Sequence, residues 1–114
     1  MTAEELRAAA LGLPGVVEGF NMGSPVFKAN GKVLARLLGE GEAMLSVSGL
    51  DERDLLLQAR PDVFHITEHY RTYPAVMVRL ASLDAADARG LLERRWREIA
   101  AKAAVRAFDA AKPA

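Results

Sequence analysis

The chain has 114 residues, 51% of them hydrophobic, with 15 basic and 15 acidic side chains and a formal net charge of zero. That length supports one small core, and the apolar content excludes a disordered polymer. The balanced charge excludes binding to polyanions by bulk charge, so any nucleic-acid site must be a local patch.

The sequence contains no cysteine, which excludes a disulfide framework, a thiol nucleophile and a zinc–cysteine site. The opening Met1-Thr2-Ala3-Glu4-Glu5 is acidic, unlike a secretory leader, and no apolar run approaches the ~20 residues that cross a bilayer. The expectation is a cytoplasmic protein without a membrane partner, folded as a single domain over residues 1–114.

Thr2 followed by Glu5 forms a capping box, so a helix starts there and carries Leu6, Ala9, Ala10 and Leu13 at helical spacing. Gly12, Pro14 and Gly15 end it. A β region then runs from about Val16 to Val47, with turn formers at 21–24, Asn30-Gly31 and 39–41. Asn30-Gly31 is the strongest hairpin signal, because both residues tolerate positive φ. It joins Pro25–Ala29 to Lys32–Leu38. Simple alternation in the second strand puts Val33, Ala35 and Leu37 on one face, with Lys32, Leu34, Arg36 and Leu38 on the other. Ala43–Val47 alternates likewise.

Asp51 is the expected N-cap of a helix through Gln58 or Ala59, with Leu55 and Leu56 buried; Pro61 closes it. Val63–Thr67 reads as a strand with Phe64 and Ile66 inward and His65 outward. A polar aromatic loop, residues 69–74, precedes a last strand, Ala75–Leu80, with Val76, Val78 and Leu80 toward the core and Met77 and Arg79 opposite. Asp84 opens one long helix to about Ala110, with Ala88, Leu92, Trp96, Ile99, Ala103 and Ala107 as its apolar stripe and Glu98–Lys102 as a spacing-four pair. This order predicts an α+β fold, a single antiparallel sheet with helices packed on one face.

Several pieces of the chain resemble the MmcQ/YjbR-like family. They are Leu13-Pro14-Gly15-Val16 with Glu18-Gly19-Phe20, Gly23 to Lys28, Gly31 to Ala35, Pro74 to Leu80, and Arg94-Arg95-Trp96-Arg97 through Ala107-Phe108-Asp109. The resemblance implies a CyaY-like, double-wing fold and a DNA-binding role. Relatives of that kind carry Ala-Pro-Lys-Arg after the helix Trp. Here Ala100-Ala101-Lys102-Ala103 lacks both the helix breaker and the last cation.

Phosphate binding needs cations presented together. Lys28 and Lys32 flank the expected turn, with Arg36 further along the second strand, Arg71 in the aromatic loop and Arg79 on the last strand. Tyr70 and Tyr73 supply aromatic faces on which a base stacks. These seven residues are the candidate nucleic-acid site of a non-catalytic module whose DNA binding would be weak and salt-sensitive. Edge lysines and margin tyrosines also have purely structural uses. The alternative is a protein-interaction or small-ligand module built on Tyr70, Tyr73 and the Phe20–Pro25 loop. Arg94, Arg95 and Arg97 diverge on a helix and read as a solvated face. His65, Glu68 and His69 lack a common register, so no metal site is expected. No phosphate loop, dinucleotide motif or nucleophile elbow points to a cofactor or an enzyme.

Overall fold

The computed structural model describes residues 1–39 and 41–111. Helix α1 is Ala3–Leu11, and the capping box at its start is complete. The Glu5 amide donates to Thr2 Oγ1 at 3.1 Å and the Thr2 amide to Glu5 Oε1 at 2.8 Å. Those bonds hold the Glu5 carboxyl below its ordinary value. Leu6 and Ala10 are the buried side of α1.

Six strands follow in two groups: β1 Val16–Asn21, β2 Ser24–Ala29, β3 Lys32–Leu37 and β4 Glu42–Ser46, then β5 Phe64–His65 and β6 Ala75–Arg79. They form one sheet in the order β1-β2-β3-β4-β6-β5, and every pairing is antiparallel. Asn30 (φ 53°) and Gly31 (φ 78°) are both left-handed, as the hairpin signal required. The β1–β2 turn repeats this geometry with Met22 (φ 53°) and Gly23 (φ 82°).

Helix α2 is Leu50–Ala59, helix α3 Ala85–Ile99 and helix α4 Lys102–Ala111. Leu6, Ala10, Leu92, Trp96 and Ile99 pack with Phe27, Leu34, Ala35, Leu45, Val76 and Val78 of the sheet. This is the α+β arrangement expected, with α1 and α3 on one sheet face. A smaller cluster of Met44, Ala75 and Met77, flanked by Val33, Leu38 and Tyr70, lies on the opposite, open face.

Several sequence expectations change. Alternation in β3 breaks at Leu34. Phe27 opposes Ala35 while Lys28 opposes Val33, so Leu34 is the extra residue of a β-bulge. Leu34 and Ala35 therefore both face the core, and Val33 turns to the open face. Helix α2 is capped at Gly49, not Asp51, and Leu55 is exposed while Leu56 and Leu57 touch the core. The strand around His65 is only two residues long.

The long last helix is broken. Ala100 is extended (φ −68°, ψ 156°) and α4 starts anew at Lys102. Tertiary contacts stabilise the turn-back in the absence of proline. Phe108 meets the Trp96 ring edge-on at 5.0 Å, and Arg97 grips Asp109 through both terminal nitrogens at 3.1 and 2.7 Å. Arg97 also bonds Glu93, and the two carboxylates raise its pKa. Ala104, Val105 and Phe108 are the packed side of α4, while Ala103 and Ala107 are exposed. Glu98 pairs with Arg95 at 3.1 Å.

Trp96 is fully buried and its Nε1 donates to the Pro14 carbonyl at 2.9 Å, which ties α3 to the loop after α1. Trp96→Ala is expected to cost about 3–5 kcal/mol, read from chemical denaturation. A loss within error would remove Trp96 from the core.

Candidate ligand-binding cleft

The open sheet face carries the structure's most suggestive cleft. It has a volume of about 390 Å³, within the range of small-molecule sites. Its floor is sheet: Val33 and Arg36 of β3, Met44 and Ser46 of β4, and Ala75 of β6. One wall is the loop carrying His69, Tyr70, Tyr73 and Pro74; the other is the β1–β2 turn, with Asn21 and Met22.

The aromatic wall is self-supporting. The His69 and Tyr70 ring centroids are 4.7 Å apart and edge-on, and Tyr70 and Tyr73 are 5.8 Å apart. The Val47 amide donates to the Pro74 carbonyl at 2.9 Å, and Arg53 Nη1 of α2 donates to the Arg71 carbonyl at 2.6 Å. These bonds fasten the loop at its middle and at its C-terminal end. Tyr70 is half-buried against Met44, Ala75 and Met77; Tyr73 is 52% exposed.

Two guanidinium groups enter the cleft. Arg36 opposes Met44 in the ladder and shares its face. Its Nε is buried and has no hydrogen-bond partner. Arg95 arrives from α3, in the helical layer. The β3–β4 ladder ends at Ala35 opposite Leu45, and beyond it the Ser46 hydroxyl donates to the Val33 carbonyl at 2.8 Å. That hydroxyl accepts from Arg95 Nε at 3.1 Å, while Arg95 Nη1 bonds Glu98 at 3.1 Å. Among the described residues, no Asp or Glu lines the cleft.

The expected site residues separate into groups. Arg36, Tyr70 and Tyr73 come together here. Lys28 is exposed on the same face, opposite Val17 and Val33. Lys32 opposes Ala29, a core residue, so the bulge places it on the other sheet face from Arg36, against the simple alternation. Arg71 is exposed, pairs with Glu68 at 3.3 Å and lies outside the cleft lining. Arg79 opposes Glu42 at the far end of β6 and donates to the Pro61 carbonyl at 3.2 Å.

The helical arginines diverge as expected: Arg94 goes to Glu52, Arg97 to Asp109 and Glu93. Arg95 is not on a solvated face, and sequence reasoning missed it. Glu52 is half-buried, which raises its pKa. Hydrogen bonds from Ser48 and the nearby Arg94 and Arg95 outweigh that effect, and the net shift is downward. Among the described residues, no three acidic or histidine side chains gather as a metal site; His65 instead meets Glu42 at 3.1 Å.

A second cleft, of about 360 Å³ between α2 and α3, is less suited to a charged ligand. Its Arg60 and Arg94 are already paired with Asp62 and Glu52, and Asp87 lines it.

The YjbR family profile matches residues 11–98, which is well over half of the chain. The chain belongs to the YjbR family. That match spans every strand of the sheet and both walls of the cleft. Among curated proteins it is similar to the uncharacterized protein Rv2570 of Mycobacterium tuberculosis and to the uncharacterized protein Mb2600 of Mycobacterium bovis. Each is 40% identical over 53 residues, covering 46% of this chain and 41% of the relative. The chain thus spans less than half the length of the curated relatives it matches. No solved structure matches the chain. No helix among the described residues is long and apolar enough to cross a membrane.

Met22 at the rim of the cleft is left-handed and 95% exposed. A non-glycine side chain held there is strained, and such strain concentrates at ligand-binding sites. Asn tolerates this geometry better. Met22→Asn is expected to raise stability by about 1 kcal/mol in thermal or denaturant unfolding, because no buried contact is lost. A fall in stability would show that the Met22 side chain packs against the fold.

Proposed function

We propose that this YjbR-family protein is a non-catalytic, cytoplasmic binding module that takes a small anion in the cleft of the open sheet face. The observation that carries this reading is Arg36. A buried guanidinium nitrogen without a partner costs about 1–3 kcal/mol, and no acceptor among the described residues offsets it. An anion bonded to the Arg36 guanidinium neutralises the charge that this buried nitrogen shares. Arg95 supports the reading, since its Nε and Nη1 are fixed by Ser46 and Glu98 and the guanidinium is held at the cleft rather than free to wander.

A second reading, contact with the DNA backbone, is favoured by one observation. Lys28 and Lys32 are exposed beside the Asn30-Gly31 turn and form no ion pair among the described residues. They lie on opposite faces of the ribbon, and Arg71 and Arg79 are engaged elsewhere. The phosphate contacts this reading needs are therefore few.

Arg36→Met keeps the aliphatic stem and removes the unsatisfied donor. Its melting temperature is expected to equal or exceed that of the parent, while NMR shifts caused by benzoate, inorganic phosphate or 5′-AMP weaken at least tenfold in affinity, about 1.4 kcal/mol. A destabilised variant with unchanged anion binding would make Arg36 a structural residue and sink the reading.

For DNA, the Lys28→Ala/Lys32→Ala double variant should weaken binding to labelled duplex equally on all sequences. It should also lower the salt slope by roughly 0.9 per lost contact. Duplex DNA that leaves the hairpin signals unmoved at low salt would remove the second reading.

A further inference from the structure

The cleft's chemistry narrows the ligand. We propose that it takes a phosphate monoester attached to a flat ring, the combination found in a nucleoside monophosphate; this rests on the small-anion reading above. Two arginines line one cleft, and among the described residues its lining holds no carboxylate. Glu98 pairs with Arg95 and Glu52 lies near it, so the cleft's uncompensated positive charge rests mainly on Arg36, with Arg95 as a second, partly neutralised donor.

A single carboxylate satisfies one planar fork. A phosphate monoester carries close to two negative charges and three acceptor oxygens. It can accept from Arg36 and from Arg95 together, which suits guanidinium donors best.

The rest of the cleft is unsuited to a bare inorganic ion. Its lining is mostly apolar and aromatic, and its volume of about 390 Å³ far exceeds that of one phosphate group. Tyr73 is 52% exposed beside Tyr70 and His69, and Met44 and Val33 form an apolar floor. An aromatic ring covers these surfaces by stacking and burial, with about 1–3 kcal/mol typical of one base on an aromatic side chain. The ring and the phosphate therefore have separate partners within one site.

A phosphate monoester with a flat base has two sources, a free nucleotide or the 5′ end of a single strand. An internal phosphodiester carries only one charge and matches Arg36 alone.

The test is a titration of the full chain followed by amide and arginine side-chain NMR. With 5′-AMP, shifts are expected at Arg36, Arg95, Ser46 and Tyr70. Adenosine and inorganic phosphate should each bind at least tenfold more weakly, since each fills only half the site. Arg36→Met should reduce AMP affinity at least tenfold with the melting temperature preserved. Tyr73→Leu should weaken AMP while leaving inorganic phosphate unchanged, which separates ring from anion.

A 5′-phosphorylated oligonucleotide that binds at least as tightly as AMP identifies the strand end as the source. AMP binding alone identifies the free nucleotide; either result supports the proposal. Benzoate or inorganic phosphate binding as well as AMP overturns the proposal and leaves the small-anion reading standing. No shift in the cleft with any of these anions overturns both.

Discussion

The single residue inserted into β3 at Leu34 determines the architecture of the open face. With Leu34 and Ala35 both directed into the core, the side chains before and after the bulge fall out of step. Lys32 is carried to the helical side and Arg36 stays opposite Met44. The β3–β4 pairing starts only at Ala35, just past the bulge in the β2–β3 pairing, and the Val33 and Leu34 carbonyls lie outside it. Ser46 meets those carbonyls with its hydroxyl, and this hydroxyl becomes the anchor for Arg95. The Ser46 hydroxyl thus brings a cation of the helical layer to the cleft that Arg36 lines from the sheet.

Much of the fold follows from local chemistry that a sequence displays. Thr2 and Glu5 form the box their spacing implies, and Asn30-Gly31 forms the turn that positive φ allows. The alternation in β6 holds: Val76 and Val78 enter the main core while Met77 faces the other way. Other features depend on partners distant in the chain. The bulge conserves the hydrophobic composition of β3 while shifting which residues are inside, so period-two counting assigns Val33 and Leu34 to the wrong faces. The break at Ala100 arises from Phe108 covering Trp96 and from Asp109 holding Arg97, and neither contact has a local signature. Proline is one way to turn a helix back; docking its last three turns on a buried indole is another.

The candidate site divides the same way. Tyr70, Tyr73 and Arg36 were legible as residue types able to bind a ring and an anion, and the fold brings these three together. Arg95 was not, because it sits among Arg94, Arg97, Glu93 and Glu98 on what reads as a solvated helix. Only the end of the β3–β4 ladder gives it a route to the opposite sheet face. Of the cations that suggested a DNA wing, Arg71 and Arg79 are satisfied by Glu68 and by the Pro61 carbonyl. An ion pair this exposed contributes little stability, but it lowers the positive potential offered to a phosphate backbone. Arg36 and Arg95 instead share one cleft lining.

What makes the concave site credible is the difference in how its parts are held. Arg36 and Ser46 belong to central strands whose backbone is fixed by hydrogen bonds on both sides. The aromatic wall is a loop, yet it is tied to β4 through Val47 and to α2 through Arg53. A ligand therefore meets groups that are already placed, so little ordering entropy is lost when it binds. Arg36 opposes Met44 in that ladder, and its buried Nε has no acceptor among the described residues. The unpaired nitrogen and the strained Met22 lie on the same cleft. Stability given up twice at one place, in a fold otherwise well satisfied, is the physical signature of a surface shaped for something other than folding.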